Sequence, residues 1–283
     1  MNRPEDKIQR AVIEHLRVRG VRDLFYFHCP NGGARRKTEA AIMRGLGVRA
    51  GVPDLIMVHQ GKVFAMELRA LELEQDYHVA HALLARCFHF RFSRGGLREV
   101  DRSAAIRHAR AAMATDDATT LAIAAIVLWF DEHDVTTAFE LFDRALEIAN
   151  SNVVALCNSA FVLAWMGQGE TAIERARRAL RLSPIDTLNA YLAIAVAEYQ
   201  AGHFEEAKDA ARRAVEASPE FSVPHILLAV AFVRLRRLDE AKLEAEYVLA
   251  LDPAFTMDRW SATVGVVPAV FEAFAEAWLE ICR

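Results

Sequence analysis

The sequence predicts a small α/β head followed by an all-α solenoid of helix pairs. Three observations carry this. Residues 51–69 contain two short, β-branched, apolar arms, Asp54–His59 and Lys62–Leu68, around Gln60-Gly61, which is a hairpin signal. Further on, Ala138, Ala172, Ala207 and Ala241 recur at intervals of 34, 35 and 34, and Asn150, Pro184, Pro219 and Pro253 recur at the same intervals. Charge divides at the same place. Residues 1–70 hold 13 Lys/Arg against 7 Asp/Glu, and residues 71–283 hold 21 against 31. A basic unit joined to a larger acidic one fits a polyanion-binding head on a non-binding body.

The chain opens with a helix. Asn2 caps it, Pro4 fits its first turn, and Ile8, Ala11, Val12 and Leu16 form its apolar stripe. Glu5 is a first-turn acid, where the helix dipole favours negative charge. Leu24–Cys29 is short and aromatic and reads as a strand, with Pro30-Asn31-Gly32-Gly33 as the loop behind it. Arg35, Arg36 and Lys37 follow, cations beside glycines that suit phosphate contact. Thr38 caps a second helix to about Leu46, and Gly45, Gly47 and Gly51 lead into the hairpin. Pairing His59 with Lys62 makes Asp54 oppose Glu67, about 5 Å apart at Cβ. Arg69 falls on the same face. Two carboxylates so placed repel unless a proton or a divalent cation lies between them.

These pieces, in order, resemble the VRR-NUC branch of the PD-(D/E)xK nucleases. The residues that carry the resemblance are Glu5-x-x-Ile8-Gln9, Phe27-His28-Cys29-Pro30-Asn31-Gly32-Gly33, Glu39-Ala40-Ala41, the run Gly45–Asp54, and Glu67-Leu68-Arg69. The resemblance implies a metal-dependent nuclease domain over residues 1–69. Its catalytic residues would be Asp54, Glu67, Arg69 and Glu5. Its Mg²⁺ or Mn²⁺ would be held by Asp54, Glu67 and the carbonyl of Leu68. His28, Asn31, Arg35, Arg36 and Lys37 would contact nucleic acid, DNA ahead of RNA. Arg69 departs from the family's lysine. It carries charge and bidentate phosphate contact but cannot deprotonate, so the expected activity is reduced.

From Arg69 the wording changes. Arg69-Ala70-Leu71-Glu72-Leu73 is echoed by Arg144–Ile148, Arg178–Leu182 and Arg213–Ala217. Small alanines let two helices approach, Gly167 and Gly202 mark the turn within a pair, and the prolines stop the second helix. This resembles the tetratricopeptide (TPR) repeat, with units over residues 70–253 ending near 116, 150, 184, 219 and 253. Residues 76–116 read as a longer unit with an insertion around Ser93–Asp101. Residues 254–283 end in an amphipathic helix, Pro268–Ile281, whose apolar face is Val270, Phe271, Phe274, Trp278 and Ile281, expected to cap the array. Residues 70–283 resemble the TPR tails of some bacterial cyclase and signalling proteins. The cyclase catalytic region is absent, so that activity does not transfer.

The junction leaves two readings open. Either the head ends at Arg69, truncated, or Tyr77–Cys87 covers its sheet and Phe88–Phe92 adds a strand. The repeat pattern favours helix for those phenylalanines. Two functional classes follow. One is a metal-dependent phosphodiester hydrolase carried on a TPR scaffold. The other is an interaction protein, its head inactive, binding a protein or peptide in the TPR groove.

The remaining residues are less telling. His78 and His81 share a helical face with His89 nearby, and solvated histidines are the expectation over a metal site. Arg175, Arg177, Arg178 and Arg181 read as a solvated face, and Trp129, Trp165 and Tyr191 as repeat core. Four cysteines lack any C-x-x-C spacing, which argues against zinc or a disulfide framework. The longest apolar run, Leu121–Phe130, is too short to span a bilayer, and the charged MNRPEDKIQR start lacks the apolar core of a signal peptide, so a cytoplasmic protein without a membrane partner is expected.

Overall fold

A computed structural model of the chain describes residues 25–28, 55–59, 62–66, 76–94, 97–183, 188–261 and 268–281. The chain forms two compact units, Met1–Ala80 and His81–Arg283.

In the first unit, β1 (Phe25–His28), β2 (Leu55–His59) and β3 (Lys62–Met66) form an antiparallel sheet in the order β1-β2-β3. The β2–β3 register runs from His59↔Lys62 to Leu55↔Met66, the pairing expected from the Gln60-Gly61 turn. β1 pairs Phe25 with Val58 and His28 with Leu55.

The helical unit begins with α1 (His78–Arg94) and α2 (Glu99–Ala111). Phe88–Phe92 lies within α1, not in a strand. A strand would put Phe88, Phe90 and Phe92 on one face. The helix instead buries Phe92, packs Phe88 against His108 and leaves Phe90 exposed. Of the insertion expected over Ser93–Asp101, Ser93 belongs to α1 and Glu99–Asp101 to α2. Asp101 is buried in that first turn and is held by Arg98 at 2.6 Å and Arg91 at 3.0 Å.

Four pairs follow: α3 (Ala118–Val127) with α4 (Val135–Ile148), α5 (Val153–Trp165) with α6 (Gly169–Leu182), α7 (Leu188–Gln200) with α8 (Phe204–Ala217), and α9 (Ser222–Arg234) with α10 (Leu238–Leu251). The side chains of Asp117, Asp134 and Asn152 accept from the third residue on and fix the starts of α3, α4 and α5. The first helix of each pair is apolar almost all round and buried along most of its length, whereas α4, α6 and α8 keep a charged outer face. Ala138, Ala172, Ala207 and Ala241 are all fully buried, as the spacing predicted.

One backbone feature repeats through the array. His133, Gly167, Gly202 and Arg236 end the first helices with φ of 57°, 77°, 81° and 62°. In the three later turns the amide of the following residue donates to a carbonyl five residues back: Gln168 to Leu163, His203 to Glu198, and Arg237 to Phe232. In the first, α3 widens into a π turn over Leu128–Glu132 before His133. The array ends with α11 (Met257–Ser261) and α12 (Pro268–Ile281), the latter spanning the residues predicted for it.

Candidate protein-binding face

Asp131, Trp165, Gln200 and Arg234 each stand two residues before one of these left-handed turns, so successive repeats bring them to equivalent places on the first helices. An aromatic row runs along that series. His89 packs on Phe130 at 4.9 Å, Phe130 on Phe161 at 5.8 Å, and Phe161 on Trp165 at 6.0 Å. Phe161 and Trp165 are buried.

Beside it runs a ladder of amides. Asn152 donates to the Thr119 hydroxyl (2.9 Å), Asn158 to the Ala122 carbonyl (3.3 Å), and Asn189 to the Asn158 side-chain oxygen (2.9 Å). These bonds tie α3, α5 and α7 together. They also put amide groups, which can bond a peptide backbone, among apolar side chains. Asn189 and Val154 are half-buried on this face.

At its C-terminal end the face is covered by α12. Phe274 lies 5.5 Å from Trp165 and stacks on Tyr199 at 4.6 Å. The Tyr199 hydroxyl and the Arg234 guanidinium both donate to the Ala273 carbonyl at 3.2 Å, and Arg234 also donates to the Tyr199 oxygen at 2.9 Å. Arg234 reaches Glu276 at 3.6 Å, and Arg236 reaches Glu280 at 3.7 Å. Burial pushes the Tyr199 phenol above its usual range, and Arg234 opposes that shift. Sequence reasoning placed α12 as an end cap. Its contacts with α5 and α7 lie 74 to 109 residues away in the chain, beyond any local pattern.

Several titratable groups elsewhere are paired. His89 was expected in solvent, but it is buried and bonded to Asp131 at 2.9 Å, because α1 packs against the π turn. His81 and His108 meet through their Nδ1 atoms at 2.8 Å. His108 is pushed down to about 4 by burial, with help from His81 and Arg107. Among the described residues no three His, Cys, Asp or Glu are placed to hold a metal ion. Trp129 and Trp165 are core, as expected, and Tyr191 is half-buried. Of the basic run, Arg177, Arg178 and Arg181 are exposed. Arg175 is half-buried near Asp143, and Arg177 lies 3.6 Å from the buried Glu198.

Of the residues expected to form a nuclease site, His28 ends β1 opposite Leu55. Glu5, Asn31, Arg35, Arg36, Lys37, Asp54, Glu67, Leu68 and Arg69 lie outside the described residues. Pro184, expected to stop a second helix, does too, whereas Pro219 and Pro253 follow the ends of α8 and α10.

The repeated pairs, their small-residue contacts and their left-handed turns define a helix-pair solenoid, similar in fold to tetratricopeptide arrays. Residues 188–221 match the tetratricopeptide repeat family. Among curated proteins, the chain is 29% identical over 130 residues to a Protein STIP1 homolog of Dictyostelium discoideum, covering 45% of this chain and 20% of that one. The chain thus spans about a fifth of the length of that relative. Among solved structures, a thermophilic TPR protein of Thermus thermophilus superposes with a TM-score of 0.51 at 17% identity, over 71% of this chain and all (100%) of that chain. PilW, a type IV pilus biogenesis factor, gives 0.49 at 18% identity, over 71% of this chain and 90% of that one. No described helix is long and apolar enough to cross a membrane.

Proposed function

We propose that this chain is a protein-interaction scaffold that binds a polypeptide along the first helices of its repeats. The observation that carries this is the chemistry of those helices. Their neighbours bury most of each helix, and what stays half-buried, at Phe130, Val154, Asn189 and Tyr191, is apolar side chain and amide together. The face they present combines aromatic rings with half-buried amides, a mixture suited to a peptide and not to a polyanion. The likeness to tetratricopeptide proteins supports the same reading. The test is a photo-crosslinking residue at Asn189, compared with one at the exposed outer position Arg178. The reading expects a discrete polypeptide adduct from Asn189 and none from Arg178. Adducts confined to Arg178 would sink it.

A second reading concerns the head. The β2–β3 register stops one residue short of Asp54 and Glu67, and it is the register the two-carboxylate arrangement requires. On this reading Asp54 and Glu67, with the Leu68 carbonyl and Glu5, hold Mg²⁺ or Mn²⁺, which supplies an activated water and charge stabilisation at a phosphodiester. His28, Asn31, Arg35, Arg36 and Lys37 hold the nucleic-acid backbone. Linear, supercoiled and branched DNA incubated with either metal should be cut by the intact protein and not by Asp54→Asn. Equal cutting by both proteins, or by neither, removes the nuclease and leaves the scaffold.

A further inference from the structure

The helix α12 is not a repeat element. It follows the last repeat, beyond Pro253, and its anchors Phe271, Phe274 and Trp278 fall at the i, i+3, i+7 spacing of a helix laid into a groove. Its position fits that spacing. It packs on α9 and α10, as a closing helix would, and in addition its Phe274 reaches back to Trp165 on α5 and Tyr199 on α7, both on first helices.

The contacts resemble those made to a bound ligand. Phe274 is fully buried between Trp165 and Tyr199, while Val270 and Trp278 are buried on the same side. The Ala273 carbonyl, in the middle of α12, takes two side-chain bonds, from Tyr199 and Arg234. Side-chain donors that grip a backbone carbonyl read the helix without reading its side chain. Carboxylates on the outer edge, Glu276 and Glu280, meet Arg234 and Arg236. The seat therefore selects three things: a large aromatic ring, a helical backbone and a negative edge.

We infer that α12 is an internal ligand, occupying in cis a helix-binding seat built by Trp165, Tyr199 and Arg234, and that the external occupant is an amphipathic helix of the same aromatic-and-carboxylate chemistry. This rests on the reading that the first-helix face binds polypeptide. It adds what the partner is and how access is controlled. A helix on the same chain competes at an effective concentration on the order of millimolar, so the wild-type seat binds an outside helix weakly and opens when α12 is weakened.

The experiment uses the full chain. A fluorescent peptide with the sequence of residues 268–281 is titrated into wild type, Phe274→Ala, and the double variant Glu276→Lys/Glu280→Lys. Fluorescence anisotropy reads binding, and hydrogen exchange over α12 is compared with exchange over α7. The charge-reversal variant changes only partly or fully exposed side chains, so it keeps the fold if Phe274→Ala does not. The inference expects α12 to exchange about tenfold or more faster than α7, and each variant to bind the peptide about tenfold or more tighter than wild type. Exchange of α12 at the α7 rate, or no peptide binding to a folded variant, makes α12 a fixed part of the core and overturns the inference. Neither result touches the crosslink at Asn189, on which the broader reading stands or falls.

Discussion

At the scale of single residues, the left-handed turn positions show what side-chain chemistry conceals. Gly167 and Gly202 announce their turns because glycine takes positive φ without penalty. His133 and Arg236 occupy the same place at φ of 57° and 62° and give no such signal. Left-handed backbone costs an L-residue about 1–2 kcal/mol, partly offset by the extra freedom glycine has when unfolded. Arg236→Gly should therefore raise unfolding stability by about 0.5–1 kcal/mol in urea titrations. The long Arg236 side chain is 85% exposed, so losing its pairing with Glu280 matters little. Two histidines shape the pH response in opposite directions. Both ring nitrogens of His225 have acceptors, Glu244 at 2.6 Å and the Pro219 carbonyl at 3.0 Å, and the Glu244 bond leads in raising its pKa above 6.5. Its contribution is complete below 6.5 and disappears as pH rises through the raised value. His108 is held down to about 4, so the folded state resists its protonation, and stability falls as pH drops from 6.5 towards 4. Thermal melts from acid to mildly basic pH should show His225→Gln losing its deficit on the alkaline side. His108→Gln should lose the acid-side decline.

At the scale of elements, residue spacing revealed most of the helices, because a repeat fixes its packing positions by contact with the neighbouring unit. Ala207 is buried where two helices approach, and Ala207→Leu should cost about 1–3 kcal/mol through overpacking. A shift in the urea midpoint at unchanged slope would show this, and a neutral result would mean the helices can part. Pro268–Ile281 was legible for a different reason, its own amphipathic stripe. The hairpin register was legible from its turn, because a two-residue connection leaves one pairing. What the pattern could not give was distance across the chain. Nothing local says that Asp131 will meet His89, 42 residues earlier, or that the Ala273 carbonyl will meet Tyr199. Such partners are set by how the solenoid stacks, and the candidate face is built largely from them.

At the scale of the whole molecule, the chain divides into a basic first part and an acidic repeat array, and the two proposed activities separate along the same division. Raising salt should weaken any nucleic-acid binding by the head steeply and a peptide on the aromatic face far less, because counterion release governs the first whereas only a few ion pairs at the edge of the second are screened. Filter binding and anisotropy, run side by side from low to high salt, would display the contrast. A salt-insensitive head would argue against phosphate contact by Arg35, Arg36 and Lys37. The crowding of rings around α12 has an optical corollary. Of the four tryptophans in the chain, Trp165 and Trp260 lie 5.7 Å apart, and Trp278 joins them through Phe255, with Trp129 further along the row beyond Phe161. Native emission therefore comes mostly from one neighbourhood. A red shift with the far-ultraviolet ellipticity largely intact would be the colour of that single helix leaving its place, visible without any label.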